Sequence, residues 1–247
     1  MTETEVKYLA GLIDADGYIG FEFSKNKVYL RINSTAAASI DKQGYVYSLP
    51  EITGLGSSCK KSRKNANWSD ISVWVVGKRR DLDMLVPRLV KHLVIKGKHL
   101  QRMYDKWHEF RGKEISDIEI EQLKLYTKAS RADSGALKPK NHPTWAWVAG
   151  YLDGDGSYIY KQPPSQRHPK LVVRATAHIN DRVGLDLLHK AFGGYIYDRG
   201  KNGKHILDWV HPLGKNNKAF ALKFLPKVVK HSKLKKHKIE QMIAFHH

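Results

Sequence analysis

Two acidic residues occupy the same place in two copies of one short pattern. Asp16 closes Leu9-Ala10-Gly11-Leu12-Ile13-Asp14-Ala15-Asp16 before Gly17, and Asp155 closes Val148-Ala149-Gly150-Tyr151-Leu152-Asp153-Gly154-Asp155 before Gly156. Each copy reads as the end of an apolar helix that breaks at a glycine, with a carboxylate at the break. Carboxylate oxygens are the ligands that hard divalent cations such as magnesium prefer, so two of them brought together could hold metal. A single Asp-x-Asp-Gly is ordinarily a helix stop followed by a turn. Two copies in matching context argue for more than turn chemistry. Gly11 and Ala15 are one helical turn apart and share a helix face, as do Gly150 and Gly154. Small residues at that spacing let two helix backbones approach closely. If these faces pack, Asp16 and Asp155 emerge side by side at one end.

The elements that must position these carboxylates repeat as well. The apolar spacing predicts a helix from Thr4 to Asp14, then alternating strands over Tyr18 to Ser24 and Lys27 to Ser34. A weak helical pattern spans Ser39 to Leu49, closed by Pro50, and Gly54 and Gly56 mark a turn. The run Lys60-Lys61-Ser62-Arg63-Lys64-Asn65 suits a basic hairpin tip before a strand over Ser69 to Val76. Helices are predicted over Leu82 to His92, Lys98 to Arg111 and Glu114 to Ser130. Thr144 is placed to cap the next helix, Trp145 to Asp153.

The second half then repeats the first at a constant offset, the one that separates Asp155 from Asp16. Gly11 and Gly150, Gly54 and Gly193, Pro87 and Pro226, Lys96 and Lys235, and Met103 and Met242 all share it. Arg31 and Arg174 read as equivalent although their separation is slightly larger, a drift expected where insertions fall in loops. The chain is therefore read as an α+β duplication of an αββαββα unit, residues 1–130 and 144–247, joined by a linker over 131–143. Helices cover one face of each mainly antiparallel sheet.

The bulk composition narrows the partners. The 247 residues carry 43 Lys and Arg against 24 Asp and Glu, a net charge of +19, which is an electrostatic footprint for a polyanion. The basic residues are spread over strands and loops rather than along one amphipathic helix, which favours nucleic acid over a membrane surface. No apolar run is long enough to span a bilayer. The N-terminus is acidic and polar, unlike a secretory or transit signal. Cys59 is the single cysteine, so there is no disulfide within the chain and no cysteine-based zinc site, which fits a reducing compartment. The expected location is intracellular, at the DNA of a host genome or organelle.

The first motif copy is LAGLIDADG letter for letter, and the second is a variant of it. The sequence thus resembles the LAGLIDADG homing endonucleases, in their single-chain, two-repeat form, over nearly its whole length. The resemblance implies a monomer in which the two motif helices pair and two sheets form a long saddle for double-stranded DNA. It implies site-specific hydrolysis of phosphodiester bonds in a long, non-palindromic target. It places the metal-binding acid at the last Asp of each motif, hence Asp16 and Asp155, with the peptide carbonyls of Ala15 and Gly154 as further ligands. Magnesium or manganese is the expected metal, with calcium supporting binding without cleavage. Lys96 follows Asp16 at the same distance along the chain as Lys235 follows Asp155. Near this point the family keeps a basic residue that steadies phosphate charge or polarises water. Both lysines stand in lysine-rich runs, for which a plain basic patch is the alternative.

On the uncovered sheet faces, Glu22, Arg31, Asn33, Lys60, Lys61, Arg63 and Lys64 fall in the first repeat. Lys161, Arg174, Thr176, Tyr197 and Arg199 fall in the second, with Lys201 and Lys204 near a glycine-bearing loop. Arg, Asn, Thr and Glu are side chains able to read base edges, and the tip lysines and arginines suit phosphates. Two other readings share the fold: an intron-RNA maturase, and a DNA-binding regulator without catalysis. The latter is expected to lose an acid, and this chain keeps both.

Overall fold

The computed structural model describes residues 1–41, 44–62, 69–136, 142–161, 170–200 and 205–246, and the backbone alone of Lys161, Lys170 and Lys215. Arg63, Lys64, Lys201 and Lys204 lie outside the described residues. The chain runs α1 (Glu3–Asp16), β1 (Tyr18–Ser24), β2 (Lys27–Ala37), α2 (Leu49–Thr53), β3 (Ser57–Lys61), β4 (Ile71–Val76), α3 (Arg79–Leu89), α4 (Gly97–Phe110) and α5 (Asp117–Ala132). It continues as α6 (Trp145–Asp155), β5 (Gly156–Lys161), β6 (Lys170–His178), α7 (Val183–Phe192), β7 (Tyr195–Asp198), β8 (Ile206–Pro212), α8 (Lys218–Val229) and α9 (Lys236–Ala244). The αββαββα order thus recurs, with one or two further helices after each copy.

Two compact units result. One comprises Met1–Val6 and Asp16–Pro139, the other Lys7–Ala15 and Lys140–His247, so the body of α1 belongs with the second unit. Each unit holds a four-stranded antiparallel sheet, ordered β1-β2-β4-β3 and β5-β6-β8-β7. In the first, Leu30 and Ile32 of β2 and Trp74 and Val76 of β4 are buried on one face. In the second, Val173, Ala175 and Trp209 do the same. Strand alternation leaves the intervening residues on the uncovered face.

Ladder register corrects one sequence equivalence. In the first sheet, Asn33 lies between Tyr18 and Val75. In the second, Arg174 lies between Ser157 and Val210. Arg174 therefore answers to Asn33, not to Arg31. Pro50 is also corrected: it stands in the first turn of α2 and opens that helix instead of closing one. A proline there gives up only an N–H that has no partner within the helix anyway.

Two helix starts follow their capping residues. The Thr144 hydroxyl accepts from the Trp147 amide at 3.3 Å at the start of α6. Ser116 and Glu119 form a reciprocal capping box on α5. From Ala146 to Asp153, α6 is buried on all sides, as a helix without a polar face must be.

Candidate active site and nucleic-acid interface

α1 and α6 meet at their glycines. A Cβ built on Gly11 would stand 2.1 Å from the Trp147 carbonyl oxygen, and one on Gly150 would stand 2.0 Å from that of Tyr8. Neither position has room for even a methyl group, so the absence of a side chain is what lets these backbones touch. Polar bonds reinforce the contact. The Tyr8 hydroxyl donates to Asp153 at 2.7 Å, and the Trp147 indole N–H donates to Asp14 at 2.9 Å. The inner acid of each motif thus holds an aromatic residue of the opposite helix. Both acids are buried, with 3% and 2% of their surface exposed. Asp153 also accepts from Ser232 Oγ at 2.7 Å and from the amides of Lys233 and Leu234 at 2.7 and 3.0 Å, which ties α6 to the turn before α9. Burial pushes the neighbouring Tyr151 phenol well above its usual pKa, and the charges of Asp155 and Asp14 add to this.

The outer acids sit at the helix ends. Asp16 is the last residue of α1 and is exposed, and Asp155 is the last of α6 and is half-buried. Among the described residues the Asp16 carboxylate has no hydrogen bond or ion pair, so its oxygens are open to a cation or water. Among the described residues no group of three or more His, Cys, Asp or Glu is placed to hold a metal ion. A one-carboxylate donor set of this kind suits magnesium, which keeps several waters and takes one or two carboxylates.

Lys96 and Lys235 point at the corresponding helix ends, each in its own unit. Lys96 Nζ donates to the Gly17 carbonyl at 2.8 Å. Lys235 Nζ donates to the carbonyls of Leu152 at 2.9 Å, Gly154 at 3.1 Å and Gly156 at 2.6 Å. Only 6% of Lys235 is exposed. Its ammonium satisfies all three donors on the negative end of α6, where a cation is favoured. The Gly154 carbonyl, expected from the resemblance to ligate metal, thus accepts a hydrogen bond from an ammonium through one of its two lone pairs. Close by in the first unit, His99 is buried with Nδ1 2.9 Å from Ser130 Oγ and Nε2 3.1 Å from the Ile19 carbonyl. Burial lowers its pKa to about 4, opposed by the Ile19 bond and aided by the charges of Arg131, Lys96 and Arg102.

The uncovered sheet faces carry most of the expected side chains, but several are tied down. In the first sheet, Arg31 Nε donates to Glu22 at 2.8 Å and its guanidinium lies 5.5 Å over Tyr29. Asn33 Oδ1 is enclosed without a hydrogen bond among the described residues. Lys61 pairs with Ile71 at the outer end of β3. Lys60 is corrected: it pairs with buried Ser72, and so shares the covered face, with its ammonium 5.0 Å over Tyr47.

In the second sheet, Lys161 pairs through its backbone with Lys170. Arg174, Thr176, Tyr197 and Arg199 converge on Asp208, a β8 residue that sequence reading passed over. Asp208 accepts from Thr176 Oγ1 at 2.6 Å, and its other oxygen lies 3.0 Å from Arg199 Nε and 3.7 Å from an Arg174 terminal nitrogen. It is fully buried under these side chains, with Tyr197 its cross-strand partner. The polar position in an alternating strand was the available signal, but the place looks like any other solvated one. Its counterpart by register in the first sheet is Val73.

Comparison with known proteins bears on this arrangement. No family model matches the sequence. The DNA endonuclease I-CreI of Chlamydomonas reinhardtii is 36% identical over 73 residues, 27% of this chain and 45% of that protein, so the chain matches less than half of that relative's length. The LAGLIDADG homing endonuclease I-SmaMI, solved bound to cleaved DNA, superposes with a TM-score of 0.66 at 20% identity, over 98% of this chain and 88% of that one. The LAGLIDADG meganuclease I-AabMI, bound to uncleaved DNA, does so with a TM-score of 0.68 at 14% identity, over 98% and 90%.

The fold is that of the LAGLIDADG homing endonucleases.

The resemblance carried by the two motif copies is thereby borne out, as is the α+β class with its two repeats. In this LAGLIDADG fold the motif helices are α1 and α6, and the final acid of each motif ends its helix. I-SmaMI has also been solved on an uncleaved DNA target in the presence of calcium ions, with a TM-score of 0.62 at 19% identity over 98% of this chain and 90% of that one.

Proposed function

We propose that this protein is a site-specific double-strand DNA endonuclease that acts as a monomer with divalent cations. The observation that carries the reading is the retention of both terminal acids, Asp16 and Asp155, on two helices packed at Gly11 and Gly150 with no room for a side chain. A chain selected only to bind DNA has no need of both. The calcium-containing complex of I-SmaMI supports a divalent ion in proteins of this fold, and the net charge of +19 supports a nucleic-acid partner.

Asp16 and Asp155 are the residues that would hold magnesium or manganese. Such an ion supplies an activated water at neutral pH and charge stabilisation on the phosphate. The chain's own contribution is positional. Asp14 and Asp153 lock the two helices, and Lys96 and Lys235 hold the carbonyls at their ends, so that each outer carboxylate is presented from a fixed turn. We assign Lys235 to this positioning role on the strength of its three carbonyl bonds. The uncovered sheet faces bind the duplex, with Arg31, Arg174 and Arg199 held by carboxylates and therefore oriented.

The test is a paired gel-shift and cleavage assay on duplex selected from a random library. With chelator the protein should bind without cutting, with calcium bind without cutting, and with magnesium cut both strands. Full cutting in the presence of chelator would overturn the metal-dependent reading.

A further inference from the structure

In the first unit, β4 ends at Val76, opposite Ile32, so the start of β2, from Lys27 to Arg31, has no strand partner on that side. A cavity of about 560 Å³ opens where β4 leaves the sheet, between the start of β2, the turn into α3 and the end of α4. Four of its lining residues are cationic, Arg31, Lys78, Arg79 and Arg111, and Tyr29 and Trp107 form part of the wall. It belongs to neither motif helix.

The donors here are under-used. Arg31 spends Nε on Glu22, and its terminal nitrogens have no hydrogen bond among the described residues. Its guanidinium lies directly on Gly77, where a Cβ would come 1.7 Å from Nη1. Gly77 does not have a positive φ, so the glycine here is explained by space for the guanidinium. Arg111 rests over Trp107, and its Nη1 is enclosed without a hydrogen bond, with only a 4.0 Å ion contact to Asp83. Arg79 shares that same carboxylate at 3.6 Å. Lys78 is exposed, has no ion-pair partner among the described residues, and precedes α3, whose N-terminus carries no side-chain cap. Two carboxylates, Glu22 and Asp83, thus face four cations. The unspent terminal donors of Arg31 and the exposed ammonium of Lys78 are ones that an anion in the cavity would satisfy. Paired guanidiniums match phosphate oxygens in particular, and an uncapped helix N-terminus adds amides and a favourable dipole.

We propose that this cavity is a phosphate-binding site, distinct from the cleavage site and taking one phosphate group on Arg31, Arg111 and Lys78. The group could belong to a free phosphate or to a phosphodiester of the DNA backbone. The site does not depend on the nuclease reading, because the first arm of its test uses no DNA.

Inorganic phosphate is titrated into the full chain at fixed ionic strength without divalent metal, following arginine Nε and lysine Nζ resonances. Saturable binding is expected, with shifts at Arg31, Lys78 and Arg111, weakened about tenfold in Lys78→Gln and Arg111→Gln, in line with loss of one charge-assisted contact. Gly77→Ala, which displaces Arg31, should weaken it as well. Lys78 is exposed, so Lys78→Gln keeps the test valid if Arg111→Gln folds poorly. Absence of saturable binding in the wild type, or unchanged affinity in Lys78→Gln, would overturn the proposal. A second arm finds the source. If the group is a DNA phosphodiester, each variant should lower the salt slope of duplex binding by about one. An unchanged slope with lost phosphate binding assigns the site to free phosphate.

Discussion

The Tyr8 hydroxyl donates to the Asp153 carboxylate at 2.7 Å, and the equivalent pair in the other direction, Trp147 to Asp14, is bonded at 2.9 Å. Tyr8 and Trp147 are separated by the repeat offset, as are Asp14 and Asp153, so the two bonds are one interaction repeated by the duplication. Asp153 accepts from Tyr8, Ser232 and two backbone amides. Asp153→Asn would turn an amide N–H₂ toward donors. The expected loss is about 3 kcal/mol of stability, as for a buried charged acceptor left with mismatched partners. Urea denaturation measures it, and a change under about 0.5 kcal/mol, the size of an ordinary surface substitution, would contradict the locking role.

Lys235→Met keeps the length of the side chain and removes the ammonium. Three carbonyls at the end of α6 then lose their donor, costing about 1–3 kcal/mol. If the lysine acts by positioning, DNA binding in chelator should persist while cutting falls, and raising magnesium should not restore the rate. Thermal melting together with the magnesium dependence of cutting checks both parts.

Asp208→Asn should loosen Arg174 and Arg199 together. Removing the carboxylate frees two guanidiniums on the uncovered face, so non-specific affinity should rise and its salt dependence steepen. Discrimination among target bases should fall over the few base pairs those side chains reach, each worth about 1–3 kcal/mol. Binding to a library of single-base target variants reads this directly. Unchanged discrimination would mean that Asp208 only supports the sheet.

Acid should destabilise the first unit through His99. In the unfolded chain this histidine takes up a proton near pH 6.5, whereas in the folded chain it stays neutral until about pH 4. Stability is therefore intact above pH 6.5 and falls as pH drops through that window, by up to about 3 kcal/mol. Denaturation curves from about pH 7 to about pH 4.5 should show a shallower decline in His99→Gln than in the wild type. Parallel declines would contradict the assignment.

What the sequence made legible is what repeats or alternates. Gly11 and Gly150 were visible as small residues at helix spacing, and the structure shows why nothing larger fits. The bounds of β1 followed from alternation alone. The locking role of Asp14 and Asp153 gave no sign in the sequence, because their partners, Trp147 and Tyr8, lie in the opposite half of the chain and on another helix. Lys96 and Lys235 were legible by position but not by role, since a lysine-rich run gives no sign that one ammonium turns inward onto carbonyls. Asp208 was invisible because only the crossing of three strands brings Arg174, Thr176 and Arg199 to it. The equivalence of Arg174 failed because offsets counted along the chain do not follow the ladder once loop lengths differ.

The central claim is that Asp16 and Asp155 supply the carboxylates for metal-dependent cutting. The most direct measurement is selection of cleaved duplexes from a random library in magnesium, followed by a cutting and gel-shift assay of Asp16→Asn and Asp155→Asn on the selected target. Each substitution keeps the size of the side chain and removes its charge. The wild type should cut one defined sequence on both strands. Each variant should bind that sequence in chelator at least as well as the wild type, because one less carboxylate faces the phosphates, and should lose double-strand cutting. Full double-strand cutting by both variants would contradict the account.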